Sequence, residues 1–246
     1  MRKRRVESQR LIVACSGLLF LTLGQGLSTV CAADYSQPFA SGHGFTWTAT
    51  TSACDSSATS GDDSSSGNAP PSVYVECVGR NDAPGHEGYW KKTLTWEAMG
   101  VTPGETVIQV DGRFDHAIIT RTHSSGPRRG PLAIYDGANS SPCAASDLEP
   151  VTNYALGTGA TSWQTDNSAG AVAVNAGCQA SSTSVTVRLG LSARTGNNAA
   201  ATTRVNGDNL VLVITAVSPG GKKRHYTTVV SLTAPSEMRP LIRTVM

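Results

Sequence analysis

Beyond its first 33 residues the sequence lacks any long apolar run, which excludes a membrane-spanning helix from the rest of the chain. Charge is scarce too: 15% of residues are charged, and both signs are scattered through the chain. With no basic patch, neither a nucleic acid nor an acidic membrane surface is indicated as a partner. No Cys-x-x-Cys spacing occurs, so a redox role finds no support. Gly-x-Ser-x-Gly, His-Glu-x-x-His and phosphate-loop patterns are absent as well. The five histidines, His43, His86, His116, His123 and His225, include no pair at metal-ligand spacing on one element. Asp62 and Asp63 sit in a Ser-rich stretch and are read as solvated charges rather than calcium ligands. The expectation is therefore a protein without catalytic machinery, metal or other cofactor.

The N-terminus has a basic start (Arg2, Lys3, Arg4, Arg5, Arg10), then the apolar run Leu11–Leu21, then the small residues Ala32 and Ala33. That order is a secretory signal peptide over residues 1–33, with cleavage after Ala32 or Ala33 and a secreted or periplasmic product. The leader holds five basic residues and one acid, so the remaining 213 residues carry 15 positive and 17 negative charges. The basic character of the whole chain belongs to its leader.

Short alternating segments dominate that remainder. Val73, Val75 and Cys77 share one face, as do Val185, Val187, Leu189 and Leu191. Leu210–Ile214 is apolar throughout, the mark of a central strand covered on both faces. Around Tyr89–Arg121, Trp90, Lys92, Leu94 and Trp96 alternate with Tyr89, Lys91, Thr93 and Thr95. A Gly-rich turn (Gly100–Gly104) and a second, longer strand follow, read together as a central hairpin. Arg128-Arg129-Gly130-Pro131 is read as part of a turn, residues 55–71 as a Ser/Gly-rich surface loop, and 236–246 as a C-terminal tail. These features predict a single antiparallel β-sandwich or jelly roll over residues 34–235, with no repeat and no long amphipathic helix. Four cysteines follow the leader, Cys54, Cys77, Cys143 and Cys178; in an exported chain they imply disulfides. Three pairings are possible, and Cys54–Cys77 with Cys143–Cys178 is favoured, because each would staple the ends of a Ser/Asn/Gly-rich excursion.

For a site, the row Gln109, Asp111, Arg113 and Asp115 occupies one face of the longer strand. It is either an ordinary solvent face or a row of hydrogen-bonding groups for sugar hydroxyls. Tyr89 at a loop edge and Trp163 in a polar context are the aromatic candidates for stacking on a pyranose. Asp115 and His116 point to opposite faces and form no dyad.

The stretches TLTWEAMGVTPGETVIQV, SVTVRLGLSARTGNN and RVNGDNLVLVI resemble the galactose-binding-like jelly-roll modules. In those a Trp-bearing strand precedes a Gly-Val-x-x-Gly turn, and an Asn/Asp-rich edge leads into a late apolar strand; here Asn206-Gly207-Asp208-Asn209 stands in that place. The resemblance implies carbohydrate binding or extracellular adhesion and transfers no ligand residue, because loops decide the ligand in this fold. A structural or assembly protein with an extracellular protein partner is the competing expectation.

Overall fold

The computed structural model describes residues 43–67, 71–80, 85–165, 170–229 and 243–245. The expected leader, residues 1–33, lies outside them. Two antiparallel sheets pack face to face. The first, in spatial order, is β1 (Thr46–Ser52), β4 (His86–Thr95), β10 (Ser184–Ala193), β6 (Arg128–Asp136) and β7 (Thr152–Asn153). The second is built on β11 (Thr202–Val217), which pairs along one edge with β5 (Thr106–Arg121). Its other edge is shared by β3 (Ser72–Val78) and β12 (Lys223–Val229). β2 (Ser57–Asp63) and β13 (Arg243–Val245) extend those two strands, while β8 (Gln164–Thr165) and β9 (Val172–Ala173) flank β5.

Alternation explains which side of each strand faces the core. Val73, Val75 and Cys77 are fully buried, as are Val185, Val187 and Leu189. They meet Leu210, Leu212 and Ile214 of β11 and Phe114 of β5 between the sheets. β11 is central, as its apolarity predicts, although its outer residues Val211 and Val213 are only half-buried. Trp90 and Trp96 are core residues, and Trp96 Nε1 donates to the Cys178 carbonyl at 2.6 Å.

Four expectations about the course of the backbone need correction. Tyr89–Arg121 is not a hairpin: β4 pairs with β1 and β10, β5 pairs with β11, and the turn at Trp96–Gly100 carries the chain from one sheet to the other. Residues 55–71 are not simply a loop, since Ser57–Asp63 pairs with β3 as an edge strand. Backbone hydrogen bonds to an existing edge suffice to hold a polar strand whose side chains, buried Asp63 excepted, stay at least partly wet. Arg128–Pro131 belongs to β6 rather than to a turn; the ladder between β6 and β10 breaks register beside Pro131, where a missing N–H is tolerated. Residues 236–246 are more than a tail, because Arg243–Val245 pairs with β12.

The favoured disulfides are both present, Cys54–Cys77 and Cys143–Cys178, with Cα atoms 5.6 Å apart in each. Asp62 and Asp63 are not idle solvated charges. Asp62 pairs with His43 Nε2 at 2.8 Å. Asp63 Oδ1 accepts from Ser65 N and Oγ and from Ser66 N, while Oδ2 accepts from Asn206 Nδ2 at 3.0 Å and pairs with Arg204 at 2.8 Å. Burial pushes the Asp63 carboxyl up, but these donors outweigh it and hold the pKa at about 2. An unfolded Asp titrates near ~3.9, so the ionised form stabilises the fold above that value, and this contribution is lost as pH falls toward 2. Urea melts between pH 2 and 5 are expected to show stability falling with pH for the natural chain. Asp63→Asn, whose amide would face Asn206 and Arg204 with the wrong polarity, is expected to be weaker at neutral pH and flatter across that window. An equally steep acid limb in the variant would remove Asp63 as its source.

Candidate functional site

The outer face of the five-stranded sheet carries a trough of 310 Å³. Its shape follows from which residues alternate outward at the middle of three neighbouring strands. On β4, Glu87 and Tyr89 face out, while His86 packs inward against Trp47 with ring centroids 5.4 Å apart. Burial of that imidazole lowers the pKa of His86. On β10 the outward residues are Arg188, Gly190 and Ser192, which pair with Lys91, Tyr89 and Glu87 of β4. On β6 they are Arg128, Ala133 and Tyr135, which pair with Ser192, Arg188 and Thr186 of β10. At the centre Gly130 and Gly190 let the two backbones approach so closely that a Cβ on either would lie 2.9 Å from the other's Cα. With no side chain there and only Pro131 and Ala133 beside them, the sheet itself is the floor.

Each end of the trough is walled by a fixed polar group. At one end Glu87 is the acceptor for Arg128 Nη2, at 3.0 and 2.9 Å to its two oxygens, for Arg194 Nη2 at 2.6 Å, and for Ser192 Oγ at 2.9 Å. Burial raises the Glu87 pKa, and the bonds from Arg194, Ser192 and Arg128 together overcome this and leave it below the ordinary carboxylate value. At the other end the Arg188 guanidinium lies between two rings, 3.4 Å from the Tyr135 centroid and 4.5 Å from that of Tyr89. Arg188 Nε donates to Asn139 Oδ1 and its Nη2 to the Asn139 carbonyl at 2.7 Å, so the group is held in place rather than waving in solvent. Asn139 itself is in the left-handed region, φ 61°, at the turn after β6. Val151, 42% exposed, overhangs from the segment before β7.

The structure does not bring the expected site residues together. Tyr89 lies in the trough. Gln109, Asp111 and Arg113 project from the outer face of the opposite sheet, on the far side of the sandwich. Gln109 is exposed, and Asp111 and Arg113 are half-buried. Asp115 is buried, 5% exposed; it accepts from Thr165 Oγ1 and from Asn209 Nδ2 at 2.7 Å, and so ties β5 to β8 and β11. Trp163 is half-buried just before β8, beside β5 and not beside Tyr89. Asn206 and Asp208 are fully buried within β11 and present no ligand-facing edge. Missed by the sequence reading were Glu87, Arg128, Tyr135, Arg188 and Ser192, whose meeting depends on strand register across some hundred residues. The available signals were weak: Glu87 precedes the Gly88-Tyr89 pair, and Arg188 is a lone charge in an otherwise uncharged alternating strand.

No family model and no curated protein matches the chain. Among solved structures, it is similar to a family 11 carbohydrate-binding module of a cellulosomal cellulase from Clostridium thermocellum. That match has 12% identity and a TM-score of 0.30, covering 72% of this chain and 94% of that one.

Proposed function

We propose that this chain is a non-catalytic carbohydrate-binding protein, exported by its N-terminal leader, whose ligand lies in the trough over β4, β10 and β6. The observation that carries the reading is the trough itself: a backbone floor at Gly130 and Gly190, with hydrogen-bonding groups rising at both ends and two aromatic rings at the Arg188 end. An extended saccharide needs such a channel, since its flat rings lie along a shallow surface while its hydroxyls reach polar groups at the sides. The walls are pre-organised by the Glu87 cluster and by the Tyr–Arg–Tyr stack, so little side-chain entropy is lost when a ligand arrives. Two disulfides fit a protein that works outside the cytoplasm.

The test is a binding panel of residues 34–246 against insoluble polysaccharides and a glycan array, with two variants. Tyr89→Ala removes one wall of the trough and one side of the stack that holds Arg188, and is expected to weaken binding about tenfold. Arg113→Ala, on the opposite sheet, is expected to leave affinity unchanged. The reverse pattern would move the site to the β5 face. Absence of saccharide binding anywhere would abandon this function for a structural or protein-partner role.

A further inference from the structure

Resting on the saccharide reading above, we infer that the trough takes an acidic polysaccharide, one bearing carboxylate or sulfate groups, and not a neutral one. The inference comes from counting the hydrogen-bonding capacity that remains after the trough's own contacts are satisfied. A groove for neutral sugars offers both acceptors and donors to hydroxyl groups. Here the one carboxylate, Glu87, is already engaged by Arg128, Arg194 and Ser192 through both of its oxygens. Beyond it, the side-chain capacity that the charged groups leave is of donor type. Arg128 spends only Nη2, on Glu87, and its Nε and Nη1 have no partner among the described residues. Arg188 spends Nε and Nη2 on Asn139 and keeps Nη1. The carboxylate of Asp136, whose charge bears on Arg188, is hydrogen-bonded to Ser140 N and Oγ.

Charge points the same way. Three guanidinium groups, Arg128, Arg188 and Arg194, stand against two carboxylates, Glu87 and the Asp136 beside Arg188, and leave this face net positive on a chain whose part after the leader is net negative. The two arginines with unspent donors lie four residues apart in register along β10, ~13 Å at the rise of a strand. Both are held at the trough's walls and are only partly exposed. The rings of Tyr89 and Tyr135 meanwhile turn a face to Arg188, so the stack presents a fixed cation where a bare aromatic platform would otherwise meet a pyranose. A guanidinium held this way is suited to a planar or tetrahedral oxyanion.

The experiment uses residues 34–246 in affinity electrophoresis and calorimetry against polygalacturonate, dextran sulfate and unmodified dextran, in 50 and 500 mM NaCl. Binding to a charged polymer, weakened at least about tenfold by Arg188→Gln and by Arg128→Gln but not by Arg113→Gln, is the expected result. Preference between the first two polymers identifies carboxylate or sulfate as the natural group. The high-salt arm should weaken binding as well, because partly exposed charge pairs are screened. Salt-independent binding to neutral polymer alone would overturn the acidic class while leaving a saccharide function in place. Equal losses in the Arg113→Gln control would mean diffuse charge attraction and would overturn the trough as its seat. No binding to any polymer or to the glycan array would remove the saccharide reading and this inference with it. Thermal melts of the three variants keep a folding defect from passing as a binding loss.

Discussion

Arg129→Ala is expected to lower the melting temperature by on the order of 10 °C. Arg129 is fully buried beneath the trough, pointing inward from the strand that its neighbour Arg128 leaves outward. Its guanidinium packs 4.9 Å from the Phe114 ring and donates to Glu149 Oε1 at 3.2 Å, to the Gly130 carbonyl at 3.0 Å and to Thr152 Oγ1 at 2.9 Å. Glu149, 4% exposed, would lose its buried ion-pair partner in the variant. Removing one member of a buried ion pair costs ~3–5 kcal/mol, and in a domain of this size each kcal/mol moves the midpoint ~2–4 °C. Lysine will not substitute well, because one ammonium cannot reach three separated acceptors at once. The informative partner is the double variant Arg129→Leu with Glu149→Leu, which buries no unpaired charge. It is expected to recover much of the loss. A single variant that melts within a degree or two of the natural chain would show that Glu149 finds solvent easily and that the cluster adds little.

The same cluster shows how far the sequence could be read and where reading stopped. Local alternation settled the class: the phases of β3 and β10 are visible in Val73–Cys77 and Val185–Leu191, and those residues are buried as expected. The disulfide pairing was reachable because each bridge closes a polar excursion between strands. Arg128-Arg129-Gly130-Pro131 was opaque because Gly-Pro is turn chemistry, whereas here Gly130 serves a close backbone approach and Pro131 sits at a register break. In β5 a bulge at Ile108 shifts the inward phase from Val107 to Val110, a change written in the partner strand's register and not in β5 itself. The trough is less legible still. Its residues lie on three strands whose adjacency depends on the chain crossing between sheets after Trp96 and after Arg121. A row of polar residues on one strand, such as Gln109 to Asp115, is visible locally; a site formed across strands is not. Only Tyr89 could be found without the fold.

Reduction of both disulfides is expected to produce the largest change of all, a fall of about 15–25 °C in the melting midpoint. The bridges close segments of 23 and 35 residues. The chain-entropy account gives about 3.4 and about 3.8 kcal/mol for loops of those lengths. At ~2–4 °C per kcal/mol their sum sets the size of the fall, and residual structure in the reduced unfolded chain would make it smaller. The two bridges should not be equivalent in character. Cys54–Cys77 ties the turn between β1 and β2 to fully buried Cys77, whose strand is already held by β2 and β11. Cys143–Cys178 ties two irregular segments together, and the Cys178 carbonyl is the acceptor that satisfies buried Trp96. Opening the second bridge should therefore loosen the environment of Trp96 as well as the unfolded-state constraint. Replacing Cys143 and Cys178 together by Ala is expected to shift tryptophan fluorescence toward that of a solvated ring well below the global transition. The Cys54/Cys77 double variant should show one transition at a lowered midpoint. Calorimetry with and without dithiothreitol, run beside fluorescence on both double variants, checks each part. A midpoint unmoved by reductant would mean that the core between the sheets holds the fold without its staples.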